Sequence, residues 1–286
     1  MKQVAFVVDS NHGDYTPDDG LAVSALNAAD IHVSAPVWND PTVDWTRFDL
    51  VVVRTTWDYS RNIDAFLNWL DRLETAQIKL WNPPSIMRWN ADKNYLREME
   101  TRGAAILPTA WYGSGMVVDL VTELAQRGWS DVVVKPTVSA GSRRTWHLTA
   151  PFTEADQSHL SEILIDSGAM IQPFAESILT EGEWSFVFFN RQFSHAVLKK
   201  AQQGDFRVQI QFGGAANPVE PPPTLLTQAA QVLDQVESPL LYTRVDGVNV
   251  DGRFQLMELE LIEPRLFLST NALAPTRFAD AILQLL

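Results

Sequence analysis

The chain has 286 residues, 46% of them apolar, with ten tryptophans and a formal net charge of −13. That is apolar material for one large domain or two to three small ones, and it excludes a disordered chain. The acidic field argues against nucleic acid and membrane as partners, although local Lys and Arg still admit a small phosphate ligand, and the absence of cysteine removes disulfides, thiol nucleophiles and thiolate metal sites, as fits a reducing, cytoplasmic setting.

The opening run turns polar at Asp9, too early for a signal peptide or a membrane span. Residues 1–82 then alternate strand and helix. "QVAFVVD", "IHVSAPVW", "DLVVVR" and "IKLWN" read as strands, and "DDGLAVSALNAAD" and residues 62–76 as helices, the latter with Ile63, Phe66, Leu67, Leu70 and Leu73 on one face. Such alternation predicts an α/β fold with a doubly wound parallel sheet. Pro83-Pro84 marks a boundary. A second unit, 83–171, carries helices at 92–102, 118–127 and 154–167 and strands near 107–111 and at "DVVVKP". A third, 172–286, is strand-rich: "EWSFVFFN", "QFSHAVLKK" and "FRVQIQF" precede a helix at 224–236 and a hairpin over 242–264, and "GGAANPVEPPP" reads as a loop.

Several common motifs are missing. There is no P-loop, no dinucleotide fingerprint, no zinc-binding histidine pair and no nucleophile elbow. Any nucleotide chemistry must use another scaffold.

The hairpin "YTRVDGVNVDGRFQLMELELIEP" supplies one. Glu258 and Glu260 are two apart and share a strand face, leaving Met257, Leu259 and Leu261 to a core. Asp246 adds a third acid on the partner strand, and hard oxygen donors without His or Cys suit Mg²⁺ or Mn²⁺. A plain two-residue turn at Asp251-Gly252 would oppose Asp246 to Met257, on the wrong face. The cluster therefore demands an odd loop or a bulge. The bland alternative is a half-exposed strand with solvated acids.

Lys135 emerges from an apolar strand beside the small-residue loop "TVSAGSRRT", which suits a phosphate, though a snorkelling lysine looks the same. Lys93 falls in the first turn of a helix capped by Asn90, where a cation is disfavoured unless an anion is present. Arg207 lies on a strand leading to Gly213-Gly214, and Arg244 shares a face with Asp246. Each of the two arginines could neutralise phosphate oxygens or simply pair with a nearby acid.

In this order and spacing, "N-x-x-K", strand-Lys-Pro with its loop, "IQPF" with "EGEWS", "GDFR…GG" and "RVD…ELE" resemble the ATP-grasp superfamily over nearly the whole chain. The resemblance implies a doubly wound N-terminal domain followed by two lobes that clamp ATP. It gives Lys93 and Lys135, with Ser139, Gly141 and Ser142 of the loop, to the nucleotide phosphates. Gln172, Pro173 and Phe174 would read adenine, and Glu183 would hold the ribose. Arg207 and Arg244 would steady the transferring phosphoryl group, and Asp246, Glu258 and Glu260 would bind Mg²⁺, with Glu260 where most members have Asn. "VVVRTTWDY" and "GDFRVQIQFGG" look most like the group containing O-ureido-serine cyclo-ligase, which closes the cycloserine ring. That likeness gives Arg54 to a substrate carboxylate, and Trp57, Asp58, Tyr59 and Gln209 to the surrounding pocket. The expected activity is an ADP-forming carbon–nitrogen ligase acting on a small amino-acid-like carboxylate, with a homodimer left open. A small-molecule kinase and a non-catalytic nucleotide or amino-acid sensor are the rivals on the same fold.

Overall fold

The structure, a computed structural model, describes residues 1–202, 204–209 and 212–286. Its first sheet is parallel, with strands β1 (Lys2–Val8), β2 (Ile31–Ser34), β3 (Leu50–Thr55) and β4 (Leu80–Trp81) in the order β2-β1-β3-β4. Helices α1 (Pro17–Ala28) and α2 (Ile63–Thr75) make the crossovers. Thr16 starts α1 by accepting from the Asp19 N–H, with Pro17 in the first turn. Every residue of β3 is buried, as a strand covered on both faces must be. One cover is the α2 face of Phe66, Trp69, Leu70 and Leu73.

Helices α3 (Pro84–Asn90) and α4 (Tyr95–Thr101) follow. The expected single helix over 92–102 is thus broken. Lys93 lies in the turn between the two helices, and Asn90 is the last residue of α3 rather than a cap. The second sheet is antiparallel, β5 (Ala110–Tyr112), β8 (Ala169–Pro173), β6 (Asp131–Pro136) and β7 (Trp146–Thr149) in that spatial order. Helices α5 (Leu120–Arg127) and α6 (Glu154–Asp166) back it with Leu120, Leu124, Leu160 and Ile163.

After the short helix α7 (Ser177–Thr180), the third sheet gathers β9 (Glu183–Phe189), β10 (Gln192–Lys200), β11 (Ala215–Val219), β12 (Tyr242–Val250) and β13 (Arg253–Glu260), in the order β11-β10-β9-β12-β13. Helix α8 (Pro223–Asp234) buries Leu225, Ala229 and Leu233 against Phe186, Leu256 and Leu259. Two expectations change here. Residues 215–219, expected as loop, pair with β10, and Pro218 is tolerated on that outer strand because it need donate no ladder bond there. "FRVQIQF" forms no strand over 206–209, where Asp205 turns back to bind the Arg207 N–H at 2.9 Å; Ile210 and Gln211 lie outside the described residues. The C-terminal helix α9 (Ala274–Leu283) returns to the first sheet, where Phe278 packs on Phe6, Phe189 and Tyr242.

The β12–β13 connection meets the parity demand by a bulge. Asp251 and Gly252 form a two-residue turn at φ 51° and 80°, the left-handed pair that hairpin twist favours. A register shift between Asp246 and Gly247 then moves Asp246 opposite Glu258 and Arg244 opposite Glu260. Met257 is the extra residue. It turns into a cavity wall beside Phe174 and Val250 instead of the expected core. Gly247 permits the shift, since a Cβ there would lie 2.4 Å from both the Gln255 carbonyl and the Phe254 ring.

Candidate active site

A cavity of about 700 Å³ opens where the three sheets meet. Its floor is the acid face of β12 and β13. Its walls come from β6 and β8, from the loop at 139–145, from residues 206–209 and Phe212, and from the turns after β1 and β3.

Asp246 is buried at the bottom and fully engaged. Its oxygens accept from Ser185 Oγ at 2.7 Å, from Lys199 Nζ at 2.9 Å, and from Arg244 Nε and Nη2 at 2.9 and 2.8 Å. Burial alone would raise its pKa, but Arg244 and Lys199 outweigh it and hold the carboxyl well below its ordinary range. Arg244 also spans to Glu260 Oε1 at 3.0 Å and donates to the Arg265 carbonyl. Lys199 pairs in turn with Glu183, so the group expected to hold a ribose is tied within the protein, with its pKa raised by burial.

Glu258 and Glu260 are more open, at 33% and 22% side-chain exposure. Burial pushes Glu260 up to about 7, whereas Lys93, 3.0 Å from Glu258, lowers the latter. Among the described residues no three carboxylates or histidines stand close enough to cage a metal outright. The donors are nonetheless all oxygens, and Glu258 and Glu260 both open onto the cavity. That fits a divalent ion held by few carboxylates and completed by phosphate oxygens. Glu258 and Glu260 would be its direct ligands, and Asp246 could join only by giving up a cation.

Lys93 also donates to the Ser139 carbonyl at 2.6 Å, and its own N–H binds the Thr137 carbonyl. It therefore clamps the 137–145 loop to the acid strand. Gly141 and Ser142 of that loop both adopt positive φ, 60° and 58°, with Ser139, Gly141 and Ser142 all on the cavity. Lys135 projects from β6 with no ion pair or hydrogen bond to its ammonium among the described residues, and burial lowers its pKa. Asn90 and Tyr95 fix β13 to this arrangement: Asn90 bonds the Leu259 carbonyl and Leu261 N–H, and the Tyr95 hydroxyl bonds the backbone of Leu259.

On the β8 side, Gln172 donates to Thr109 and Phe174 stacks on His147 at 4.2 Å, but the Phe174 N–H is already taken by the Asp131 carbonyl. Pro173 joins them on the wall. Arg207 enters from its loop, held bidentately by Asp205 and lying 3.7 Å over Phe212. Gln209 lines the cavity with its side-chain oxygen unpaired among the described residues.

Arg54 is the clear correction. It does not reach the cavity. It is 1% exposed, donates to Asp19 Oδ1 and the Pro264 carbonyl at 2.9 Å each, and lies over the Tyr242 ring. An arginine near the end of a fully buried strand is held by the partners it finds inside the fold. Trp57, Asp58 and Tyr59 do line the cavity, with Asp58 accepting from Trp38 and Trp57 donating to the Glu263 carbonyl. Sequence reasoning missed Lys199, Glu263, Arg265 and His12, all of which line the same space. Glu263 is buried without an ion-pair partner among the described residues and its pKa is raised well above the usual carboxylate range. Arg265 lies 4.2 Å over Trp57.

Over 257 residues, 86% of each chain, the sequence is 30% identical to the cycloserine biosynthesis protein DcsG of Streptomyces lavendulae. The chain belongs to the DcsG family. Residues 4–82 match the family described as D-cycloserine synthetase DcsG, N-terminal domain. The crystal structure of D-cycloserine synthetase DcsG superposes with a TM-score of 0.89 at 28% identity, covering 99% of this chain and 100% of that one. D-alanine–D-alanine ligase from Bacillus anthracis, also solved complexed with ATP, shares the fold at a TM-score of 0.72 and 14% identity over 99% and 97% of the two chains. The fold is ATP-grasp, and this DcsG-family chain is a ligase. No helix among its described residues is long and apolar enough to cross a membrane.

Proposed function

We propose that the chain uses ATP to activate a small amino-acid-like carboxylate as an acyl phosphate, which a nitrogen of the same molecule then attacks, as in the step from O-ureido-serine to cycloserine. The observation that carries this reading is the meeting of a half-buried Lys135 ammonium, unpaired among the described residues, with the Glu258–Glu260 face in one cavity. A half-desolvated cation without a partner among the described residues calls for an anion and the acid face calls for a cation; a metal-bound triphosphate meets both needs.

In this reading Lys93 and Lys135 take the phosphate oxygens, and the 139–142 loop covers them. The ion on Glu258 and Glu260 would offset charge on the transferring γ-phosphoryl group. Arg244, aimed by Asp246 and Glu260, and Arg207 face the same region. The substrate carboxylate oxygen attacks the γ-phosphorus, ADP leaves, and the resulting acyl carbon is open to nitrogen. Positioning and charge compensation suffice; no protein nucleophile is required.

The test is racemic O-ureidoserine with Mg-ATP, read as ADP release and as hydroxamate in the presence of hydroxylamine. ADP release together with hydroxamate is the expected result. Release of AMP instead, or ADP without hydroxamate, would exclude an acyl phosphate.

A further inference from the structure

The turn after β1 is built around one carboxylate. Asp9, 1% exposed, accepts with Oδ1 from the Asn11 and His12 N–H groups at 2.9 and 3.0 Å and from His12 Nδ1 at 2.7 Å. The Asp9 N–H is itself fixed to the Thr55 carbonyl at the end of β3. Trp57 packs against the imidazole edge to face, 4.8 Å between ring centroids. A carboxylate that accepts from Nδ1 sets the tautomer, leaving the Nε2 lone pair free. His12 is about one-third exposed, and it is the only histidine among the described residues that line the cavity. Nε2 has no hydrogen-bond partner among those residues.

Bond formation to nitrogen releases a proton, and few groups around this cavity can take it. The lysines and arginines are cations. Asp246, Glu258 and Glu260 are committed to cations, Glu183 to Lys199, and Glu263 is buried, which raises its pKa. Asp58 accepts from Trp38.

We infer that His12 Nε2 takes the proton from the attacking nitrogen, with Asp9 as the residue that positions it. As the nitrogen lone pair forms the bond to the acyl carbon, the bond from that carbon to the phosphate oxygen breaks, and phosphate leaves with the electron pair. The N–H proton passes to Nε2 and then to the departing phosphate or to solvent. His12 thus serves the second half of the reaction and not the phosphoryl transfer. This rests on the acyl-phosphate reading above.

The experiment incubates wild type and His12→Gln with racemic O-ureidoserine, Mg-ATP and hydroxylamine, and measures by mass spectrometry the ratio of ring-closed product to hydroxamate. A general base contributes about 10²-fold or more, so the ratio should fall by about that factor in the variant, and by less in Asp9→Asn. Imidazole added to His12→Ala should restore ring closure. A wild-type ratio in His12→Gln, loss of hydroxamate together with product, or no rescue by imidazole would overturn the role of His12. A wild-type enzyme that makes product but no hydroxamate would instead sink the acyl-phosphate reading and this inference with it.

Discussion

Arg54 and Asp19 form an ion pair, Nε to Oδ1 at 2.9 Å, in which both side chains are almost wholly removed from water. The pair joins the third strand to the first helix, and Arg54 reaches on to the Pro264 carbonyl beyond the acid strand. Removing one partner leaves the other buried and uncompensated. Arg54→Ala should therefore cost about 3–5 kcal/mol of stability in urea unfolding. A change in substrate KM with stability intact would return Arg54 to the binding site.

Lys135 carries the opposite expectation. Its ammonium is half-buried with no partner among the described residues, so Lys135→Met should stabilise the nucleotide-free protein, by about 1 kcal/mol at most. The same change should remove most of the rise in Tm that Mg-ATP gives the wild type. Differential scanning fluorimetry with and without nucleotide checks both signs. A lysine that served only as a surface solubiliser would move neither.

Glu258→Gln keeps the shape of the acid face and removes one charge. If that carboxylate holds the ion, substrate-stimulated ADP release should fall roughly 10³-fold, the several kcal/mol a catalytic metal supplies. Stability should hardly change, because Lys93 can still donate to the Ser139 carbonyl. A rate within threefold of wild type would leave the acid face as structure only.

Gly247→Ala tests the bulge. The added methyl group would meet the Gln255 carbonyl and the Phe254 ring, at a cost of about 1–3 kcal/mol. Because the shift beside Gly247 places Asp246 opposite Glu258, the Kd for Mg-ATP should rise with the loss of stability. Unchanged binding in a destabilised variant would separate the register from the site.

His195 gives a pH dependence. Burial lowers its pKa below the ordinary 6.5, only partly offset by the Leu266 carbonyl that its Nε2–H meets. With the folded value below the unfolded one, the unfolded chain binds more protons in the window beneath 6.5. Stability is full above that pH and is lost as the pH falls into the window. The urea midpoint should drop between about pH 7.5 and pH 5.5, and less steeply in His195→Asn.

Most strands and helices were legible because their apolar runs have a clear period, and counting parity along the hairpin narrowed its connection to an odd loop or a bulge, of which the structure has the bulge. What escaped depends on partners distant in sequence. Nothing near Arg54 announces Asp19 or Pro264, so a buried cation read as a ligand-binding one. Lys199 was hidden by a second irregularity. A plain count from the Asn190-Arg191 turn pairs it with Gly182, and only the shift between Phe193 and His195 sets it opposite Glu183. The segment at 206–209 has the alternation of a strand but spends its polar groups locally, Asp205 on Arg207, and so forms none. Residues 215–219 show the reverse: Gly213-Gly214 and the prolines of "GGAANPVEPPP" suggested a loop, yet β10 offered an outer position that needs no proline N–H.

Strand β13 lies at the border of its sheet, where unpaired amides ordinarily invite a foreign strand. Here that rim is already spoken for. The Leu256 N–H binds the Ala105 carbonyl, while Asn90 and Tyr95 occupy the amides of Leu261 and Leu259. The same side chains that hold the acids in register also blunt a template for aggregation, so trimming either one should make the protein prone to self-association as well as less active.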